Sequence, residues 1–514
     1  MTTTDPRSST VDAVLSRSAA RTPDAVALRF ADRVWTYAEL DAAVTRAAAA
    51  LRGLGLARGD RVAAYGKNSD AYLLGFLGCA RAGLVHVPVN FALTGEELAY
   101  LVHQSGAAAA LVDPALRTTY DAAGLAVGGD RVLPLRDADG SLLERASAGP
   151  VPDAVLPADE APVADTELVQ LLYTSGTTSR PKGAMMTHRA LVHEYVSCIH
   201  ALGLAADEKP LHPMPLYHSA QMHVFLMPYL AVGADNHLLE VPDVPTILRV
   251  VEEQGCGALF LAPTVWVPLS NHPDFAARDL STLRKAFYGA SIMPGPVLQR
   301  LRDAMPGLEV YNCFGQSEIG PLATVLQPAE HDDRPESCGR PVLFVELAVL
   351  GEDGRPVEAG GTGEVVYRSP QLCEGYWDKP EETAEAFRDG WFHSGDLVRI
   401  DAEGYITVVD RIKDVINTGG VLVASREVED ALYTHPAVAE VAVIGTPDEK
   451  WIEAVTAYVV RRPGTEHEGV TEADLVAHAK GRLAGYKVPK AVRFVPDLPR
   501  NQSGKLLKRV LRDG

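Results

Sequence analysis

No stretch of this chain is long enough and apolar enough to cross a bilayer. The nearest run, Met222 to Ala234, is interrupted by proline, histidine and glycine. The first residues, Met1-Thr2-Thr3-Thr4-Asp5-Pro6, lack the basic-then-apolar pattern of a secretory signal, so a soluble, cytoplasmic protein is expected. Cysteine is sparse: Cys79, Cys198, Cys256, Cys313, Cys338 and Cys373 are scattered without a C-x-x-C pair, which excludes a disulfide frame or a cysteine zinc site and fits reduced thiols. Basic charge is also short, with 48 Lys and Arg against 67 Asp and Glu and a net charge of −19. A general nucleic-acid or anionic-membrane surface needs a basic footprint, and none is present here. Internal repeats and low-complexity blocks are missing as well.

What remains is ordinary globular composition, 47% hydrophobic and 22% charged over 514 residues, more than a single core normally serves. From Ala25 onward short apolar runs alternate with amphipathic stretches: Ala25–Phe30, a helix after Thr36, Arg61–Tyr65, a helix after Asn68, Val85–Val89, and a helix from Thr94. Thr36 and Glu39 form a capping box, followed by Leu40, Val44, Ala47 and Leu51 at helical spacing. That alternation predicts an α/β fold of parallel-rich sheets flanked by helices. Residues 122–166, rich in Gly, Ala, Pro and Asp, read as loosely structured surface. Between Gly363 and Val409, turns at Arg388-Asp389-Gly390 and Asp401-Ala402-Glu403-Gly404 predict hairpins of a small β subdomain. The charged segment Asp410-Arg411-Ile412-Lys413-Asp414 then breaks the pattern, and a small α+β stretch follows.

The most informative segment is Tyr173-Thr174-Ser175-Gly176-Thr177-Thr178-Ser179-Arg180-Pro181-Lys182-Gly183. Glycines let backbone N–H groups approach an anion, hydroxyls donate to phosphate oxygens, and a lysine neutralises charge. The apolar run Leu168 to Tyr173 reads as a buried strand delivering this loop. Such clusters are usually plain turns, but three hydroxyl-rich positions followed by Arg-Pro-Lys-Gly are an odd composition for a solvated one. A glycine-lysine pair opening a helix, the familiar nucleotide loop, is absent, so this is a different cradle for a nucleotide triphosphate.

With this loop the chain resembles the adenylate-forming superfamily of acyl-CoA synthetases, beetle luciferases and peptide-synthetase adenylation domains, and further segments recur in the family's order from about Thr36 to the C-terminus. Ser179 stands where the family more often has glycine. The resemblance implies domains at 1–412 and 413–514, the second mobile about a hinge at Lys413. It implies ATP, Mg²⁺ and coenzyme A as cofactors. Thr174, Ser175, Gly176, Thr177, Thr178 and Lys182 then face the phosphates. Phe314-Gly315-Gln316-Ser317-Glu318 resembles the aromatic-Gly-x-Thr-Glu motif: the ring stacks on adenine, Ser317 donates to the α-phosphate, and Glu318 ligates Mg²⁺ through oxygen. Gly289, Ala290 and Asn312 fall on the same nucleotide side.

In Trp391-Phe392-His393-Ser394-Gly395-Asp396 the aspartate is expected to accept from the ribose hydroxyls, joined there by Arg411. Leu216-Tyr217-His218 sits where amino-acid-activating relatives carry an aspartate, and histidine offers no fixed negative charge, which argues against α-amino acid substrates. Lys505, in Pro499-Arg500-Asn501-Gln502-Ser503-Gly504-Lys505, matches the family's adenylation lysine. It joins Thr177, Glu318 and His218 as the expected catalytic set. Gly419-Gly420 resembles the loop lining the pantetheine tunnel, although Val421-Leu422-Val423 and Ala424-Ser425-Arg426 replace more usual polar-aromatic and proline-containing variants. Tyr217, His218, Met222, Trp266, Tyr288, Gly289, Ala290 and Gly315 are the candidates to line an acyl pocket.

The resulting expectation is an AMP-forming acid–thiol ligase for an apolar fatty or aryl carboxylic acid, with no nucleic-acid partner. An alternative keeps the adenylation and passes the acyl group to a carrier-protein thiol, an amine or another nucleophile. A third, a non-catalytic nucleotide binder, is disfavoured because Lys182, Glu318, Asp396 and Lys505 are all present. Oligomeric state, a homodimer included, is left open.

Overall fold

The apolar runs become strands and the amphipathic stretches become helices packed over them. A computed structural model describes residues 9–174, 180–289, 293–419, 421–448, 450–464, 467, 469–500 and 506–513. The chain divides into two compact units, one drawn from residues 1–175, 181–347 and 367–392, the other chiefly from 348–366 and 393–514.

In the first unit a six-stranded sheet runs in the order Val132–Pro134, Ala107–Val112, Arg61–Tyr65, Val85–Val89, Leu168–Thr174, Lys182–Thr187. Its pairs are parallel except the last, which is an antiparallel hairpin. Val85–Val89 is buried along its whole length, as a parallel strand covered on both faces must be. The helices Tyr37–Arg52 and Asp70–Ala82 bury Leu40, Val44, Ala47 and Leu51 against Leu73, Phe76 and Leu77 in the main core. The Thr36–Glu39 capping box is formed reciprocally, as the sequence predicts.

A second sheet of the same unit joins Arg340–Pro341, Thr324–Leu326, Glu309–Phe314, Lys285–Gly289, Ala258–Phe260, Pro210–His212, Asn236–Leu238, Val26–Phe30 and Arg33–Thr36 in that order. Its interior is parallel and its margins are antiparallel. Residues 122–166 are more ordered than their composition suggests. Val132–Pro134 pairs in parallel with Ala107–Val112, and the helix Leu142–Ser147 places Leu142 in the core. Elements of three and six residues are too short for periodicity to reveal.

A smaller sheet orders Glu346–Leu350, Thr362–Arg368, Trp391–Ile400 and Phe387–Arg388, with Ile406–Arg411 also on Trp391–Ile400, and lies mostly in the second unit. The hairpin turns expected at residues 388–390 and 401–404 join these strands. Further along, Val421–Val423, Ile416–Thr418, Ile452–Arg461 and Val438–Asp448 form another sheet, with Ala491–Phe494 parallel to Ile452–Arg461. The helices Ser425–Tyr433 and Glu472–Lys480 close it around a core of Val428, Leu432, Val443, Val455 and Leu475. Among the described residues no helix is long and apolar enough to cross a membrane.

Candidate active site

The strands Leu168–Thr174 and Lys182–Thr187 pair antiparallel, and their register sets Thr174 opposite Lys182 at the loop end of the hairpin. The buried apolar run that marks the first strand in sequence therefore ends on a hydroxyl facing a cation. Residues 374–377 then hydrogen-bond along the second strand: Met185 N–H donates to the Gly375 carbonyl over 2.9 Å, Glu374 N–H to that of Met185 over 3.0 Å, and Trp377 N–H to that of Gly183 over 2.8 Å. This pairing brings the Tyr376 ring to 4.8 Å from Lys182 Nζ, a cation–π contact.

Both Thr174 and Tyr376 point at Glu318. Its Oε1 accepts from Thr174 Oγ1 and from Tyr376 Oη, each over 3.1 Å. Glu318 lies in the single 3₁₀ turn Ser317–Ile319 that follows the strand Glu309–Phe314. Gly315 makes this exit possible: its φ is +157°, and a Cβ there would stand 2.0 Å from the Pro321 carbonyl oxygen. The neighbouring Ser317 Oγ lies 2.8 Å from Ser219 Oγ. Ser219 directly follows Tyr217-His218 and precedes a π-helical stretch, Ala220–Leu226, a geometry frequent at functional sites. So the loop end, the Ser317-Glu318 turn and the Tyr217-His218 segment, far apart in sequence, converge. Tyr217 packs edge-on to Phe91 at 5.6 Å, and burial raises its phenol pKa to about 12, so it stays neutral.

Other expected residues are placed less directly. Gly289 ends the strand Lys285–Gly289 opposite Cys313, and Phe314 ends its neighbour. Asn312 donates from Nδ2 to the Ser337 carbonyl over 2.9 Å. Met222 is fully buried in the main core. Tyr288 and Trp266 lie in a separate buried cluster with Leu269, Phe275 and Leu301; Trp266 Nε1 donates to the Phe287 carbonyl over 3.0 Å, and Tyr288 Oη is 3.2 Å from His331 Nε2.

The second unit carries its own pair. Asp396 and Arg411 face each other across antiparallel strands, with Arg411 Nε 2.8 Å from Asp396 Oδ1. Asp396 is buried and accepts at no cost in strand register, because the partner strand delivers Arg411 directly opposite. Lys413 sits in the short turn Ile412–Asp414, whose Lys413 carbonyl and Asp414 carboxylate accept from Arg512 over 3.3 and 2.7 Å. Gly419 adopts φ +64° beside the Trp451 ring. Ser175, Gly176, Thr177, Thr178, Ser179, Ala290, Gly420 and Lys505 lie outside the described residues.

Tyr376 and Ser219 are the site neighbours that sequence reasoning passes over. Gly375-Tyr376-Trp377 is a signal that could have marked the first; Ser219 has none. Among the described residues no cluster of three or more His, Cys, Asp or Glu side chains could hold a metal ion. A single carboxylate such as Glu318 nonetheless fits Mg²⁺, which is commonly held by one or two carboxylates plus substrate phosphates.

The fold and this convergence define a nucleotide-handling α/β enzyme of two units. The AMP-binding enzyme family matches residues 15–377, and the AMP-binding enzyme C-terminal domain matches residues 427–505. The chain belongs to the AMP-binding enzyme family. It is 39% identical over 496 residues to a feruloyl-CoA synthase from an Amycolatopsis species, covering 96% of this chain and 97% of that protein. It is also 37% identical over 442 residues to the medium/long-chain-fatty-acid–CoA ligase FadD8 of Mycobacterium tuberculosis, covering 80% and 74%. ATP-bound MatB from Rhodopseudomonas palustris superposes with a TM-score of 0.86 at 30% identity over 98% of both chains.

Proposed function

We propose that this protein is an ATP-dependent acyl-CoA synthetase for an apolar carboxylic acid. The carrying observation is the convergence of Thr174 and Tyr376 on Glu318 at the mouth of the Leu168–Thr187 hairpin. A site of this kind offers hydroxyls, a lysine and a carboxylate to a polyphosphate, and no protein nucleophile. In the first half-reaction a carboxylate oxygen of the acid bonds to the α-phosphorus of ATP, and the bond to the bridging oxygen of pyrophosphate breaks. Thr174, Ser175, Gly176, Thr177, Thr178 and Lys182 hold the leaving phosphates, and Lys505 meets the charge growing on the attacked phosphate. Glu318 would hold Mg²⁺, which would neutralise phosphate charge when bound. Ser317 serves the α-phosphate, Phe314 and Asn312 the adenine side, and Asp396 with Arg411 the ribose.

In the second half-reaction the thiol sulfur of coenzyme A bonds to the acyl carbon, the acyl–phosphate C–O bond breaks, the thiol proton passes to solvent and AMP leaves. Residues 413–514 form the mobile domain, pivoting at Lys413, with Gly419 and Gly420 along the thiol's approach. An aryl acid is favoured over a fatty acid, because the feruloyl-CoA synthase matches over nearly its full length at the higher identity. Tyr217, His218, Gly289 and Ala290 line the acid's site in this reading, while Met222 and Trp266 remain in their buried clusters. Purified protein tested for acid-dependent ATP–pyrophosphate exchange and CoA-dependent AMP release, with aryl and aliphatic acids of graded length, checks the proposal. Absence of exchange with every acid sinks the adenylation. Exchange without acyl-CoA formation moves the acceptor to a carrier-protein thiol or an amine.

A further inference from the structure

Glu194 is a fully buried carboxylate in the helix His188–Leu202, and among the described residues no cation perturbs it. Three donors satisfy it instead. Oε1 accepts from the Leu322 backbone N–H over 2.8 Å and from Cys198 Sγ over 3.3 Å, and Oε2 accepts from Gln371 Nε2. Gln371 is itself fixed: Oε1 accepts from Ser197 Oγ over 2.6 Å, while Nε2 also reaches the carbonyls of Ile319 and Leu322 at 3.3 and 3.2 Å. Those two carbonyls rule out the flipped amide, which would set oxygen against oxygen. Gly320 adopts φ +108°, and a Cβ there would stand 2.9 Å from Glu194 Oε2. Two residues past Gln371, Cys373 N–H donates to the Glu318 carbonyl over 2.9 Å.

Every backbone contact of this pair therefore falls on the turn that carries Glu318. A buried carboxylate is costly, and burial pushes the Glu194 pKa up to about 8 although Leu322 N–H and Cys198 pull it down. The donors on both oxygens fix the orientation of the side chain. A cheaper apolar side chain would fill the same volume but could not grip the Leu322 N–H and Gln371 together.

We propose that Glu194, acting with Gln371, is a positioning residue that holds the Ser317–Leu322 turn so that Glu318 meets Thr174, Tyr376 and the metal–nucleotide complex. This rests on the proposed reading of Glu318 as the metal-side carboxylate. The full-length protein and its Glu194→Gln, Gln371→Glu, Glu194→Gln/Gln371→Glu and Glu318→Gln variants are compared by Mn²⁺·ATP binding, followed by electron paramagnetic resonance of free Mn²⁺. Metal-free AMP binding and hydrogen exchange of the peptide spanning 317–322 are measured in parallel. Glu194→Gln sets one amide against another and is expected to weaken Mn²⁺·ATP about tenfold, the scale of one buried hydrogen bond, while AMP binding changes less than about twofold. The double swap pairs an amide with a carboxylate again, but that carboxylate faces the Ile319 and Leu322 carbonyls, so no recovery is expected. Faster exchange at 317–322 accompanies the single variants. Wild-type Mn²⁺·ATP affinity in folded Glu194→Gln, or equal weakening of AMP and Mn²⁺·ATP, overturns the inference. If Glu318→Gln itself binds Mn²⁺·ATP normally, the reading of Glu318 fails instead. Should Glu194→Gln not fold, Ser197→Ala, which frees Gln371 Oε1, carries the test with an expected weakening of about threefold, and unchanged affinity overturns it.

Discussion

Thr174 donates its hydroxyl to Glu318 Oε1 over 3.1 Å, joining the last residue of its strand to a carboxylate 144 positions further along the chain. The same oxygen accepts from Tyr376, so the carboxylate is held from two sides. Preorganisation of this kind lowers the reorganisation needed as charge develops.

Glu318→Gln retains size and one acceptor but removes the charge. Acid-dependent ATP–pyrophosphate exchange is expected to fall by about 10²–10³-fold, the scale for losing a preorganised electrostatic group. Tyr376→Phe removes a single hydrogen bond and should cost roughly 5–10-fold, with little change in melting temperature. Exchange rates at saturating acid, titrated against Mg²⁺, check both. Equal, small losses in the two variants would contradict the assignment of Glu318.

Asp396→Asn breaks the ion pair with Arg411, whose Nε is 2.8 Å from Oδ1, and withdraws the acceptor proposed for the ribose. ATP affinity measured by calorimetry should drop about tenfold, in line with a hydrogen bond to a charged group. An unchanged dissociation constant would remove Asp396 from the nucleotide site.

Acid should destabilise the protein before its carboxylates titrate. Burial depresses the pKa values of His86, His212 and His223 to about 3 each, and that of His188 to about 4. Unfolded histidine titrates near ~6.5, so below that pH the unfolded chain binds protons that the folded one refuses. Stability from these rings is present above about pH 6.5 and is lost as the pH falls toward 4. Glu194, with its pKa raised to about 8, works in the opposite direction, but it is one group against several. Urea midpoints should therefore decline from pH 7 to pH 5, by on the order of 1.4 kcal/mol per pH unit for each net proton. A flat profile would mean the rings are protonated in the folded state.

Ile452 occupies the left-handed region at φ +67°, where a β-branched side chain is strained, and it is 59% exposed. Ile452→Gly should relieve that strain by more than the entropy glycine loses, a net gain of roughly 1 kcal/mol. Thermal unfolding would show a raised midpoint, and a lowered one would mean that the Ile452 side chain contributes packing worth more than its strain costs.

Local patterns carried much of the architecture. The run ending at Tyr173 reads as a strand because burial on both faces of a parallel sheet demands continuous apolar residues, and Thr36 reads as a cap because its partner Glu39 is three residues away. Family resemblance put Asp396 and Arg411 on the ribose; that they form an ion pair across antiparallel strands came only with strand register. Val132–Pro134 and Leu142–Ser147 were not foreseen, since each is shorter than a period can establish.

The amino-acid order alone determined the alternation of strands and helices, because it depends on side-chain chemistry within a few residues. It could not announce that Tyr376 would stand over Lys182, or that Glu194 and Gln371 would clamp the turn bearing Glu318. Those relationships are made by strand pairing and helix packing between segments far apart in sequence, and a lone buried acid or tyrosine acquires its role only from the groups that folding places against it.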